Sequence, residues 1–162
     1  NFERKTMTRE VLLSIKGFQV IGETKEETGG EEIEVVAPGK YRFQNEKHFV
    51  SYEEVIEGSS EKIQNLIKIS DDIVEVTKRG FTNVHMVFEK NKRNMSYYDT
   101  PFGKFLVSIM AKNIQVIKEQ GQISTRVDYS LDINYEHMAD CTIEIKINAK
   151  NGTPFHLSET AK

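Results

Sequence analysis

A single cysteine, Cys141, is all the sulfur chemistry of disulfides that this 162-residue chain could draw on. It excludes an internal disulfide framework and any zinc site built from several thiolates. No apolar run approaches the roughly 18 residues that a membrane-spanning helix needs. No excess of positive charge exists either: 22 Lys and Arg stand against 25 Asp and Glu, a net charge of -3, which is no nucleic-acid footprint. A basic segment leading into an apolar one is absent from the start of the chain, so a cytoplasmic location is expected. No Gly-x-Ser-x-Gly elbow and no phosphate-binding glycine motif occurs, and Gly29-Gly30 sits among glutamates that would repel phosphate.

What is present is a period of two. Ile123, Thr125, Val127, Tyr129, Leu131, Ile133 and Tyr135 alternate with Ser124, Arg126, Asp128, Ser130, Asp132 and Asn134. Such alternation describes a long strand with one buried and one wet face, and a helix would scatter it around its cylinder. Turning this strand over would bury Arg126, Asp128 and Asp132, so the odd face of 121–135 is expected to point inward. The pattern recurs at Ile33, Val35, Ala37, Gly39, Tyr41 and Phe43, and at Ile143, Ile145 and Ile147. The opening strand, 10–24, changes phase at Gly17, between Val11, Leu13, Ile15 and Phe18, Val20. A second slip separates Phe105, Val107 and Ile109 from Ile114 and Val116, and such slips are the signature of bulges that bend strands.

Polar turns such as Gln44-Asn45-Glu46-Lys47, Ser70-Asp71-Asp72 and Glu119-Gln120-Gly121 divide the chain into about ten strands. Two segments, around Ile63, Leu66, Ile67 and around Met110, Ile114, Ile117, also have helical spacing; both are predicted as strands. Ten open strands would leave two exposed edges, and closure removes them. The expected fold is all-β: a closed or nearly closed antiparallel meander barrel of about 8–10 strands, with a two-sheet sandwich as the alternative. Residues 1–7 are expected to be an N-terminal extension outside the fold, 8–148 the single barrel domain and 149–162 a C-terminal tail.

The segment Asn94-Met95-Ser96-Tyr97-Tyr98-Asp99-Thr100-Pro101-Phe102-Gly103-Lys104 joins a tyrosine-bearing strand to a long apolar one through Thr-Pro-Phe-Gly. With Gly121-Gln122-Ile123 and the opening Ser14-Ile15-Lys16-Gly17, it resembles the YwiB-like family of uncharacterised bacterial calycin-like β-barrel proteins, over about residues 8–147. The resemblance implies the barrel and brings no activity, cofactor or site residue with it. The tryptophan often found near the first strand of calycins is missing here, which argues against lipocalin-like ligand selectivity.

Candidate chemistry is sparse. His137 and Cys141 share a strand face but stand about 13 Å apart by strand rise, too far to share an ion. Cys141 beside Asp140 reads as an inert thiol, and the paired carboxylates Glu26-Glu27, Glu31-Glu32, Glu53-Glu54 and Asp71-Asp72 read as solvated. Lys78, Arg79, Lys90, Lys92 and Arg93 read as solvated hairpin tips. Arg126 and Tyr129 differ by three and so face opposite sides, unlike the arginine–tyrosine carboxylate clamp of intracellular lipid-binding barrels. The aromatics Tyr41, Phe43, Tyr97, Phe105 and Tyr129 remain as candidate barrel lining. The expected function is a non-catalytic barrel binding a small, largely apolar molecule in its interior. The alternative is a filled barrel acting as a protein-interaction or assembly module. No cofactor, metal, nucleic acid or membrane partner is expected.

Overall fold

In a computed structural model that describes residues 8–17, 34–55, 58–80, 83–100 and 103–150, the alternation resolves into ten strands. They are β1 (Arg9–Lys16), β2 (Glu34–Gln44), β3 (Lys47–Val55), β4 (Lys62–Ile69), β5 (Ile73–Arg79), β6 (Val84–Glu89), β7 (Arg93–Thr100), β8 (Gly103–Glu119), β9 (Gln122–Ile133) and β10 (Glu136–Ala149). One antiparallel sheet holds them in the order β6-β5-β4-β3-β2-β1-β10-β9-β8-β7. Two meanders, β1 to β6 and β7 to β10, are therefore zipped together by β1 against β10, from Val11↔Ala149 to Lys16↔Glu144. The sheet's two edges, β6 and β7, are consecutive in the chain and meet each other, which nearly closes the barrel.

Each strand faces inward with the residues that the period selects. Val11, Leu13 and Ile15 of β1 lie opposite Gly39, Ala37 and Val35 of β2, and Ile143, Ile145 and Ile147 of β10 continue the same layer. Together with Ile67, Ile69, Val74, Val76, Phe88 and Tyr129 they form one continuous buried cluster along the interior. Both segments with ambiguous spacing are strands. β4 is laddered on both sides, and β8 pairs with β7 and β9. β4 thus has a partner on each side, whereas β8 is paired with β7 only as far as Met110 and beyond it ladders with β9 alone, an outcome local spacing cannot foresee.

The slip in β8 is a bulge between Ala111 and Asn113, where Lys112 is left without a partner opposite. A second bulge, between His137 and Ala139, turns Met138 outward and has no counterpart in the expected phase changes. At Gly17 the backbone takes a φ of 83°, and a Cβ there would run into the Thr142 carbonyl of β10. Only glycine accepts both conditions cheaply. The remainder of the predicted first strand, with Phe18 and Val20, lies outside the described residues, as do 1–7 and 151–162.

One end of the inward face of 121–135 needs correction. Ile123 through Leu131 are buried on the odd positions as expected, but β9 stops at Ile133. Asn134 and Tyr135, with φ of 50° and 69°, form the two-residue turn into β10, and Tyr135 is 81% exposed. Two successive positive φ values are the demand of a tight hairpin turn, and they override the alternation. Asn134 secures the turn on β8: its N–H donates to the Leu106 carbonyl at 2.8 Å, and its Oδ1 accepts from the Leu106 N–H at 3.0 Å.

A cleft at the barrel seam as the candidate functional site

β6 and β7 meet without a ladder, and the joint is made differently at its two ends. At the β6–β7 turn, Lys90 bridges Ala111 and the Asn91 N–H donates to the Ala111 carbonyl at 2.9 Å. That is the site of the β8 bulge, which lets β6 reach past β7 to β8. Toward the opposite end, the Tyr98 hydroxyl of β7 donates to the His85 carbonyl of β6 at 2.9 Å. The inward positions of β7 are Asn94, Ser96 and Tyr98, which lie opposite Ile109, Val107 and Phe105. Where the facing positions of β8 present apolar side chains, this strand presents polar ones.

A cleft of about 1010 Å³ opens along this seam and takes its walls from both faces of the sheet. From the inner face come Asn65 of β4, Lys78 of β5, Val84 of β6, and Ser96 and Tyr98 of β7. From the outer face comes the row Ser51–Leu66–Thr77–His85, one residue from each of β3 to β6 in direct cross-strand register, flanked by Tyr97.

The inner wall is chemically distinctive. Tyr52, Asn65 and Lys78 stand side by side across β3, β4 and β5. Asn65 is 3% exposed, and its Nδ2 donates to Glu54 Oε1 at 3.0 Å and to the Ile63 carbonyl at 3.4 Å. The Lys78 ammonium donates to the same Glu54 oxygen, so the carboxylate is held between a cation and an amide. The Asn65 side-chain carbonyl oxygen is buried without a partner. Burial pushes the Tyr52 hydroxyl pKa far up, with the Glu54 charge adding to it, and burial alone does the same to Tyr98. Both therefore remain neutral O–H groups.

The five aromatics expected to line the barrel do not gather at this cleft. Tyr129 is deep in the core, edge-on to Phe88 with ring centroids 4.8 Å apart. Tyr41 and Phe43 lie by the β2–β3 turn around His48, the Tyr41 hydroxyl 2.8 Å from Nδ1 and the Phe43 ring 4.9 Å away. Burial, aided by Lys118 and opposed by Asp71, lowers the His48 pKa to about 4. Phe105 is half-buried against the core, directly across from Tyr98. Tyr97 requires correction: it points outward and is 68% exposed, because Tyr98 takes the inward phase set by Asn94 and Ser96. Tyr97 borders the cleft from outside, with the Lys104 ammonium 5.7 Å from its ring centroid.

Asn65 went unrecognised in the sequence, and Glu54 and Lys78, expected as solvated groups, are instead paired with each other on the inward face with Lys78 only 13% exposed, although a signal was there. Glu54 continues the inward phase of Val50 and Tyr52, Asn65 that of Ile67 and Ile69, and Lys78 that of Val74 and Val76. Three neighbouring strands each place a polar group on the apolar phase at the same end of the barrel.

A second polar cluster lies on the outer face. His137 Nδ1 is 3.2 Å from both Ser130 Oγ and Asp132 Oδ1, its Nε2 is 3.5 Å from Asp140, and Arg93 pairs with Asp132 at 3.0 Å. Half-exposed pairs of this kind contribute at most about 1 kcal/mol each. Serine and Asp132 crowd the same ring nitrogen, whereas a relay to a nucleophile needs them on opposite ones. Among the described residues, no group of three or more His, Cys, Asp or Glu comes together in a way that could hold a metal ion.

Comparison with known proteins places this architecture. The chain is 28% identical over 121 residues to the uncharacterised β-barrel protein YwiB of Bacillus subtilis (strain 168), covering 73% of this chain and 84% of that protein. The crystal structure of the ywiB protein from Bacillus subtilis superposes with a TM-score of 0.66 at 20% identity, covering 90% of this chain and 96% of the other. The family model described as a domain of unknown function, DUF1934, matches residues 17–145, from the strained Gly17 to Ile145 in the last strand. The chain belongs to that family.

Proposed function

We propose that this protein is a non-catalytic binding barrel that takes a small polar molecule into the cleft between β6 and β7, with the packed interior serving as scaffold. The observation that carries this reading is the cleft itself, about 1010 Å³ at the unladdered joint of β6 and β7, with Asn65, Lys78, Ser96 and Tyr98 in its inner wall. The volume suits a small organic molecule, and the walls combine apolar surface with a few convergent polar groups.

The reading shifts the expected ligand from the barrel axis to the seam, and from apolar to polar. The axis is occupied by the continuous aliphatic cluster and the Phe88–Tyr129 contact. Against catalysis at the cleft stands the state of its groups. The Glu54 oxygen is already engaged by Lys78 and Asn65, and His85 faces Glu75 at 3.5 Å rather than a hydroxyl.

Amide chemical-shift mapping with a library of small polar fragments tests the proposal. Hits should cluster on Asn65, Thr77, Lys78 and Ser96, and Ser96→Trp should abolish them while leaving the β-sheet spectrum intact. Hits that map to the outer face away from the seam, or that survive Ser96→Trp unchanged, would leave the protein-interaction module as the better reading.

A further inference from the structure

We infer that the cleft takes a small organic monocarboxylate, held through its carboxylate by Arg79 at the outer wall, an inference that rests on the seam cleft being the ligand site. Among the described residues, three basic side chains line the cleft, Lys68, Lys78 and Arg79, against one carboxylate, Glu75. The imbalance is local, since acidic residues outnumber Lys and Arg over the whole chain. Two of the three cations are already answered. Lys78 donates to Glu54, and Lys68 stands 3.9 Å from Glu75. Arg79 is exposed, and among the described residues it makes no hydrogen bond or ion pair. The carboxylate in its own cross-strand row, Glu53, is taken up by the Gln64 amide and by Lys62 at 3.8 Å. Glu75 lies four residues back along β5, about 13 Å by strand rise. There His85 faces it at 3.5 Å.

The neighbours of Arg79 set the kind of anion. Arg79 follows Thr77 by two residues on β5 and so shares its face, the outer wall of the cleft. Asn83, which also lines the cleft, is tied to Gly80, the residue after Arg79. Its Oδ1 accepts from the Gly80 N–H at 3.3 Å, which leaves the amide Nδ2 to donate. A guanidinium beside neutral donors matches the two oxygens of a carboxylate, bound in a fork. One uncompensated positive charge suits one negative charge. A dianionic phosphate would bring a second negative charge into a cleft that already holds Glu75, and an ammonium would meet Arg79 with like charge. The body of the ligand is apolar and flat-sided, because Leu66 and Val84 line the cleft together with the rings of Tyr97 and Tyr98.

The inference is tested by titrating the full chain with four probes that share one ring: benzoate as a monocarboxylate, phenyl phosphate as a dianion, benzamide as a neutral amide and benzylammonium as a cation. Binding is followed by backbone amide shifts and by the side-chain N–H shifts of arginine. Benzoate should give saturable shifts at Thr77, Arg79 and His85 with the highest affinity of the four, and that affinity should fall as salt is raised. Arg79→Gln should weaken benzoate binding roughly tenfold and leave benzamide binding within about twofold. Arg79→Lys, which keeps the charge without the fork, should recover part of the loss. Arg79 is exposed and unpaired among the described residues, so neither variant removes an ion pair from the fold. Tighter binding of phenyl phosphate, benzamide or benzylammonium than of benzoate overturns the carboxylate assignment and leaves the cleft as a binding site. Benzoate binding undiminished in Arg79→Gln does the same. Silence of the cleft toward all four probes overturns the assignment, and the polar-fragment library then decides whether the cleft binds at all.

Discussion

The Tyr98 hydroxyl donates to the His85 carbonyl at 2.9 Å, a side-chain bond in the place where a closed barrel would have a backbone one. β6 and β7 are the two edges of the ten-stranded sheet, and they converge without a ladder of their own. An edge carbonyl that no neighbouring strand pairs needs another donor. Tyr98 supplies it while holding the two strands at a separation that leaves room for the cleft.

Tyr98→Phe should therefore lower stability by about 0.5–1.5 kcal/mol, the net value of one hydrogen bond, in chemical denaturation. The loss should be local in character, with amide exchange of Val84 to Phe88 accelerating more than that of β1 or β10. Uniform acceleration across all ten strands would mean that the bond does not hold the seam.

Tyr129→Ala tests whether the interior is packed. Tyr129 is fully buried with its ring edge-on to Phe88. Truncation should cost about 3–5 kcal/mol by the cavity route. A loss below about 1 kcal/mol, together with uptake of an apolar dye by the parent protein, would restore the hollow barrel with an apolar ligand.

The buried His48 makes an acid-side contribution to stability. Its pKa falls from 6.5 to about 4 on folding, chiefly through burial. Between those values the unfolded chain binds a proton that the folded chain refuses, so stability decreases as pH falls from 6.5 toward 4. The loss should be on the order of 2–3 kcal/mol. In His48→Gln the difference in unfolding midpoint between pH 6.5 and pH 4.5 should shrink relative to the parent. Equal pH slopes in the two proteins would show that His48 is not the responsible group.

Glu54 and Lys78 should behave as a coupled pair. Lys78→Met removes the ammonium from Glu54, which keeps its bond from the Asn65 amide, and Glu54→Gln removes the carboxylate charge that the ammonium faces. Each single change should cost about 1–3 kcal/mol, discounted from the fully buried case because Glu54 is partly exposed. The double variant should cost less than the sum of the singles, and strict additivity in the cycle would mean that the pair contributes nothing as a pair.

The strands were legible because their information is local. A period of two over Ile123 to Leu131 leaves one physically acceptable orientation, since inversion would bury Arg126 and Asp128 and expose Val127 and Leu131. The bulge in β8 was legible for the same reason, as a change of phase between Ile109 and Ile114. Gly17 marked a point where only glycine could stand. Tyr135 and Tyr97 were misplaced where alternation met a competing local demand. A two-residue turn claimed Tyr135, and in β7 two adjacent tyrosines left the phase to be decided by Asn94 and Ser96.

The candidate site was decided by tertiary structure. Glu54, Asn65 and Lys78 come from three strands, and no spacing in the sequence relates them. Their register, fixed by pairs such as Tyr52↔Asn65 and Asn65↔Lys78, sets them in contact. The seam is likewise a property of closure. Sequence patterning determines which side of a strand is wet, but it says nothing of whether the first and last strands of a sheet will ladder when they meet. That depends on the accumulated twist of ten strands and on the Lys112 bulge that brings Ala111 to Lys90.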